Sequence, residues 1–163
     1  MEKSNLTQPL LKTSDFPVGK VLISSAALFP SIGAFLADWN ETHLFNPKWT
    51  PHAKFHDAQT ITLAAEAAAI SLWQLWGTGK KTGKQGFSRL RWATVFSSLF
   101  WLTLPPAILF PGTLLVDPDN PTQPKPIAGI PVNQVTGIAA VLLPLLIAGY
   151  ILEKRRLKRI SHS

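Results

Sequence analysis

Four apolar stretches, at about 21–37, 51–76, 90–110 and 135–152, are separated by polar or proline-rich segments. Each has roughly the length a helix needs to cross a hydrocarbon layer, and this constrains the fold more than any single motif does. The fold class expected is all-α: an integral membrane four-helix bundle over 21–152, with a polar N-terminal tail at 1–20 and a basic C-terminal tail at 153–163. Only 15% of the residues are charged and 46% are hydrophobic, against about 25% charged in an average soluble domain.

The 16 Lys and Arg residues set the orientation, because only Lys48, Lys54 and Lys125 fall in the loops after the first and third stretches. The others flank the opposite ends of the helices, in the N-terminal segment, between Lys80 and Arg91, and between Lys154 and Arg159. This is the positive-inside pattern, so both termini are expected on the cytoplasmic side. A net charge of +7 in a soluble chain would raise nucleic acid as a partner, but here the cations are distributed by loop rather than gathered with stacking aromatics on one face. No nucleic acid is therefore expected. The absence of cysteine removes disulfides, thiolate metal sites and cysteine nucleophiles.

The first stretch is long enough to weigh as a signal peptide, yet cleavage after Ala37 would put the bulky Phe35 where a small residue is needed. The second has a marked start: Thr50 is a suitable N-cap, and Pro51 stands at the first helical position, where its missing N–H costs nothing. At 1.5 Å per residue this helix is about 39 Å long, so its first turns stand in the membrane interface. Pro105, Pro106 and Pro111 predict an irregular exit from the third helix, and Pro144 predicts a kink in the fourth. A Gly/Lys-rich connector (77–86) and a proline-rich loop (111–131), with Asp117-Pro118-Asp119-Asn120-Pro121, complete the chain.

The segment 38–57 carries three of the four histidines (His43, His52, His56), the acids Asp38, Glu41 and Asp57, and a run of aromatic residues. At about 100° per residue, His52, His56, Gln59 and Glu66 fall on one stripe of the second helix, with Glu66 about 15 Å deeper than His56, near the bilayer midplane. A carboxyl group at that depth is costly and marks a candidate site, with Ser97, Ser98 and Trp101 at matching depth as partners. The alternative is that Glu66 pins helices together through a serine or indole. His52 and His56 read as an acid–base pair or, with Asp38, Glu41 or Asp57, as metal ligands, or else as ties between loop and helix. A metal would need at least three of these side chains at about 2 to 2.2 Å from one ion, and the spacing lacks the glutamate of the zinc-protease motif, so no metal is assigned. Trp39, Phe45, Trp49 and Phe55 fit an aromatic belt or a rigid lid over a pocket. His162 is expected in solvent, and the Asn5 and Asn40 sequons are not read as modified.

The stretch from Ala37-Asp38-Trp39-Asn40-Glu41-Thr42-His43 through Phe45-Asn46-Pro47-Lys48-Trp49-Thr50-Pro51-His52-Ala53-Lys54-Phe55-His56 resembles a family of small, uncharacterised four-helix membrane proteins of fungi and bacteria. More distantly, the layout is similar to the EXPERA superfamily of sterol-isomerase-like and sigma-2-receptor-like proteins. That likeness implies a bundle of the endoplasmic reticulum holding a lipophilic ligand against buried acids, which would correspond to Asp38 and Glu66. The paired histidines and the short third loop depart from that pattern.

The function expected is binding of a sterol, terpenoid or other lipophile in the bundle, with isomerase- or cyclase-like proton transfer by Glu66, Asp38, His52 and His56. Ligand contact is expected from Asp38, Trp39, His43, Trp49, His56, Gln59, Glu66 and Trp101. No nucleotide, flavin or thiol machinery is visible, so no cofactor is assigned. The alternative is a non-enzymatic structural or accessory subunit, with a homo-oligomer or a partner membrane subunit as the associated chain.

Overall fold

The computed structural model describes residues 16–77, 79, 82–116 and 125–161. Among them are four long helices and no strand: α1 (Val18–Asp38), α2 (Pro51–Trp76), α3 (Gly83–Ala107) and α4 (Ala140–Ser161), with a π-helical segment, Gln134–Ala139, leading into α4. The Asp117–Pro121 turn and His162 lie outside the described residues.

α2 starts where its sequence says it should. Thr50 Oγ1 accepts a hydrogen bond from the Ala53 backbone N–H (3.2 Å), and Pro51 opens the helix. The other boundaries differ. α3 begins at Gly83 rather than near Leu90, so its first turns carry Lys84 and Arg89, cations that make a helix start look like a loop. α4 continues through Ser161, so residues 153–161 belong to a helix rather than a tail. The π-helical segment is capped by Asn133, whose side-chain oxygen accepts from the N–H groups of Val135 (2.9 Å) and Thr136 (3.0 Å), while Thr136 Oγ1 accepts from the Asn133 N–H (3.2 Å).

Consecutive helices are neighbours, α4 closes back on α1, and α1 also touches α3 across the middle. Contacts at one end fix the antiparallel order. Lys20 Nζ donates to the Leu75 carbonyl (2.6 Å), and the Gly83 N–H donates to Ser161 Oγ (3.1 Å). The start of α1, the end of α2, the start of α3 and the end of α4 are therefore together. α1 and α4 meet at a pair of glycines: a Cβ on Gly19 would fall 2.5 Å from the Gly149 carbonyl oxygen and 2.5 Å from the Glu153 nitrogen.

Among the described residues, half of the buried apolar positions are alanine, and the rest are Ile23, Ile61, Leu75, Leu90, Trp101, Leu142, Leu146 and Leu157. Ala26, Ala64, Ala68 and Ala93 are buried, as are Ser71 and Ser97, whose hydroxyls lie 2.6 Å apart over the Ala93 carbonyl. Among the described residues thirty large hydrophobic side chains are exposed, including Leu36, Leu63, Trp73, Leu102 and Ile147. An outer surface this rich in large apolar side chains departs from that of a water-soluble bundle, where burial of such surface drives folding. Among the described residues two helices, Val18–Asp38 and Gln134–Ser161, are long and apolar enough to cross a membrane.

Pro30 inside α1 leaves the carbonyl four residues earlier without its helical donor, since proline has no N–H. That carbonyl belongs to Ala26, and the indole Nε1–H of Trp101 donates to it (3.1 Å) from α3. Trp101 is only 2% exposed, so this bond is shielded from water.

Candidate functional site

An apolar cavity of about 560 Å³ opens between the second half of α1, the middle of α2, the second half of α3 and the π-helical segment. Phe29, Gly33, Leu63, Phe100, Trp101 and Ile138 contribute much of its wall. Small residues at Ala34, Ala64 and Ala67 make the room, and Asp38 is the one ionisable side chain among the lining residues. The volume is that of a small-molecule site.

Asp38 is the last residue of α1, where the chain turns into the loop that precedes α2. Its side chain is mostly shielded, at 19% exposure, and its Oδ1 lies 3.6 Å from Nε2 of His43. The loop holds His43 there. Asn40 Nδ2 donates to the Ala37 carbonyl (2.6 Å), which turns Asn40 Oδ1 toward Thr42, where it accepts from the Thr42 N–H (2.8 Å) and hydroxyl (2.6 Å). With that hydroxyl proton committed, the 2.7 Å contact from Thr42 Oγ1 to His43 Nδ1 requires the proton of this bond to sit on Nδ1. A neutral ring would then aim the Nε2 lone pair at a carboxylate. The arrangement is favourable when the Asp38–His43 pair holds one further proton, so the pair is a candidate proton donor and acceptor at the cavity wall. Trp49 meets His43 edge-on, with ring centroids 5.2 Å apart. Asp57 of α2 is within electrostatic range of both, and its Oδ2 is buried without a hydrogen-bond partner. Among the described residues no group of three His, Asp or Glu side chains is arranged to hold a metal ion.

The polar stripe of α2 exists, but it faces outward. His52, His56, Gln59 and Glu66 are all exposed on the outer side of the bundle. His56 bridges His52 (Nε2 to Nε2, 3.2 Å) and Gln59 (Nδ1 to Oε1, 3.2 Å), and none of the four lines the cavity. The expected burial of Glu66 against Ser97, Ser98 and Trp101 is corrected: Ser97 pairs with Ser71, Ser98 bonds its own helix at the Val95 carbonyl, and Trp101 bonds Ala26. The physical reason is that Ala64, Ala67, Ala68 and Ser71 occupy the opposite side of α2 and allow the close approach of α1 and α3. Trp39 is also exposed, against Phe35 and Phe45, and does not line the cavity.

Of the expected ligand contacts, Asp38 and Trp101 line the cavity, and His43 and Trp49 stand behind Asp38. The apolar wall was not singled out from the sequence, since Phe29, Leu63 or Ile138 in a hydrophobic helix carries no local signal. Glu153 was also missed. It is only 1% exposed and is held by Arg156 through two hydrogen bonds (2.9 and 2.7 Å), but in sequence it is a lone acid inside a basic run. The i, i+3 spacing of Glu153 and Arg156 is the signal that was available.

No curated protein and no solved structure matches this chain. A family model matches residues 22–162, which takes in α2, α3, α4 and all but the first turn of α1, the loop carrying His43, and the α2 face that forms the cavity wall. The chain therefore belongs to the family of unknown function DUF6640.

Proposed function

We propose that the four helices form a membrane-embedded bundle that holds a lipophilic small molecule in the cavity beside Asp38. Three observations support the membrane setting: the buried alanines and serines at the helix contacts, the apolar exterior, and the gathering of Lys20, Lys84, Arg89, Arg91 and the α4 cations at one end, which becomes the cytoplasmic end by the positive-inside rule. The observation that carries the binding reading is an apolar cavity of about 560 Å³ with a single ionisable lining group. A sterol-, terpenoid- or lipid-like molecule with one polar head fits that chemistry, its body on Phe29, Leu63 and Phe100 and its head at Asp38.

The reaction class open to such a site is proton transfer. Asp38 and His43 can deliver a proton to a bound double bond or carbonyl and take one back, which is the chemistry of isomerisation or cyclisation. The sequence layout leads to the expectation of Asp38 and Glu66 as the acids; Glu66 lies outside the cavity, so Asp38 keeps its place and His43 takes the second. The test is mass spectrometry of lipophiles that co-purify with the protein in mild detergent. Asp38→Asn and the cavity-filling Leu63→Trp are expected to lose the bound species, and Glu66→Gln to keep it. Equal retention in Asp38→Asn and Leu63→Trp, both folded, would refute the reading.

The exposed Glu66 favours a second reading, in which the chain is an accessory subunit. An outward carboxyl group in the middle of a membrane helix is costly against lipid and is relieved by a polar group of a partner helix or a second copy. Crosslinking from position 66 in native membranes would capture that neighbour, and crosslinks to lipid alone would dismiss it.

A further inference from the structure

A second cavity, of about 740 Å³, lies at the opposite end of the bundle and belongs to no part of the site above. Among the described residues that line it, three are cationic, Lys20, Arg89 and Arg156, and one is anionic, Glu153. Glu153 accepts its hydrogen bonds from Arg156 and lies within electrostatic range of Lys20, so one carboxylate stands against three cations; neither Lys20 nor Arg89 forms a salt bridge among the described residues. Both do cap the end of α2: Lys20 Nζ donates to the Leu75 carbonyl (2.6 Å), while Arg89 donates through Nε to Gln74 (2.7 Å) and through Nη2 to Trp73. Capping accounts for their position but not for their capacity. It uses one of three ammonium donors and two of five guanidinium donors, so the caps leave most donors of these two side chains uncommitted.

The surroundings indicate what that is. Lys20 lies over the Trp76 ring (5.0 Å) and Arg89 over the Trp73 ring (5.9 Å), and Trp73, Trp76 and Trp92 are exposed at the same end. Exposed tryptophans beside cations mark the level of lipid headgroups. We propose that this cavity binds a phosphate group, held by Lys20 and Arg89 beside the Glu153–Arg156 pair. In the membrane setting proposed above, the phosphate is the headgroup of an anionic lipid of the cytoplasmic leaflet. A soluble phosphate offers the same chemistry, and the two sources separate in the test.

Detergent-purified full-length protein is titrated with short-chain phosphatidic acid, with short-chain phosphatidylcholine, and with inorganic phosphate alone. Lys20→Gln and Arg89→Gln are expected to weaken binding of the anionic lipid by about tenfold or more, the loss of one charge-assisted contact. Arg155→Gln and Lys158→Gln, exposed cations of the same end of α4 that do not line the cavity, should change it less than about threefold. Because the capping variants also touch α2, Thr82→Phe provides a second arm. Thr82 lines the cavity and makes no side-chain capping bond, so the larger ring blocks the space and leaves every cation in place. Preference for phosphatidic acid with this variant pattern supports the lipid source; binding of inorganic phosphate with the same pattern supports the site with a soluble ligand. Unchanged binding in Thr82→Phe and in the folded capping variants, or an equal loss in the Arg155 and Lys158 variants, would overturn the proposal. The outcome is independent of whether the Asp38 cavity holds a lipophile.

Discussion

The hydrogen bond from Trp101 to Ala26 can be tested as a repair. Pro30 withholds the N–H that would satisfy the Ala26 carbonyl, and the Trp101 indole supplies a donor at 3.1 Å from another helix. Replacing Trp101 with Phe keeps an aromatic ring and removes the donor, leaving a carbonyl in a dry interior without a partner. The cost of that orphaned group is about 1–3 kcal/mol, with a packing loss from the smaller ring added to it. Pro30→Ala restores the backbone donor to the same carbonyl. In that background Trp101→Phe should lose its hydrogen-bonding penalty and keep only the packing loss, which is common to both backgrounds and cancels in a double-mutant cycle. The expected coupling energy is about 1–2 kcal/mol, read as unfolding free energies of the four proteins in mixed detergent micelles. A coupling below about 0.5 kcal/mol would mean that the carbonyl is satisfied in some other way, and the repair argument would fail.

Two further perturbations test the packing at the basic end. Gly19→Ala should destabilise the bundle by about 1–3 kcal/mol, because its Cβ would fall 2.5 Å from backbone atoms of α4 that can move only by separating the helices; thermal unfolding unchanged from the parent would show that α1 and α4 do not meet so closely. Arg156→Met should cost about 3–5 kcal/mol by leaving Glu153 buried without its partner, whereas Arg156→Met combined with Glu153→Leu should recover much of that loss; a double variant no more stable than the single one would argue against the pair.

How much of this was legible in the sequence depended on which physical signal was local. The start of α2 was, because a capping threonine and a first-turn proline act on their own backbone. The start of α3 was not, since Lys84, Arg89 and Arg91 mask a helix that is amphipathic rather than apolar. Periodicity located the His52–Glu66 stripe but could not say which way it faced. Where alanines are buried and large apolar side chains such as Leu36, Leu63 and Ile147 are exposed, the rule that polar residues face solvent and apolar ones face the core gives no direction. The better guide was the opposite stripe, Ala64, Ala67, Ala68 and Ser71, small residues at helical spacing that permit close contact. Asp38 was legible as an acid at a helix end, while its pairing with His43 depends on how Asn40 and Thr42 fold the loop. The cavity itself is made by side chains from α1, α2, α3 and the π-helical segment, and no single stretch of sequence announces it.

The course of α4 through Ser161 changes what its basic residues are. In a loose tail, Lys154 to Arg159 would be a flexible polyelectrolyte, able to be trimmed without harm to the rest. As the last turns of a rod they are fixed in angle and height, and Leu157 between them is buried in the same cluster as Ile23 and Leu90. Shortening the chain at residue 152 would therefore remove part of the foundation along with the charge, and a loss of function in such a truncation would report on folding before it reported on electrostatics.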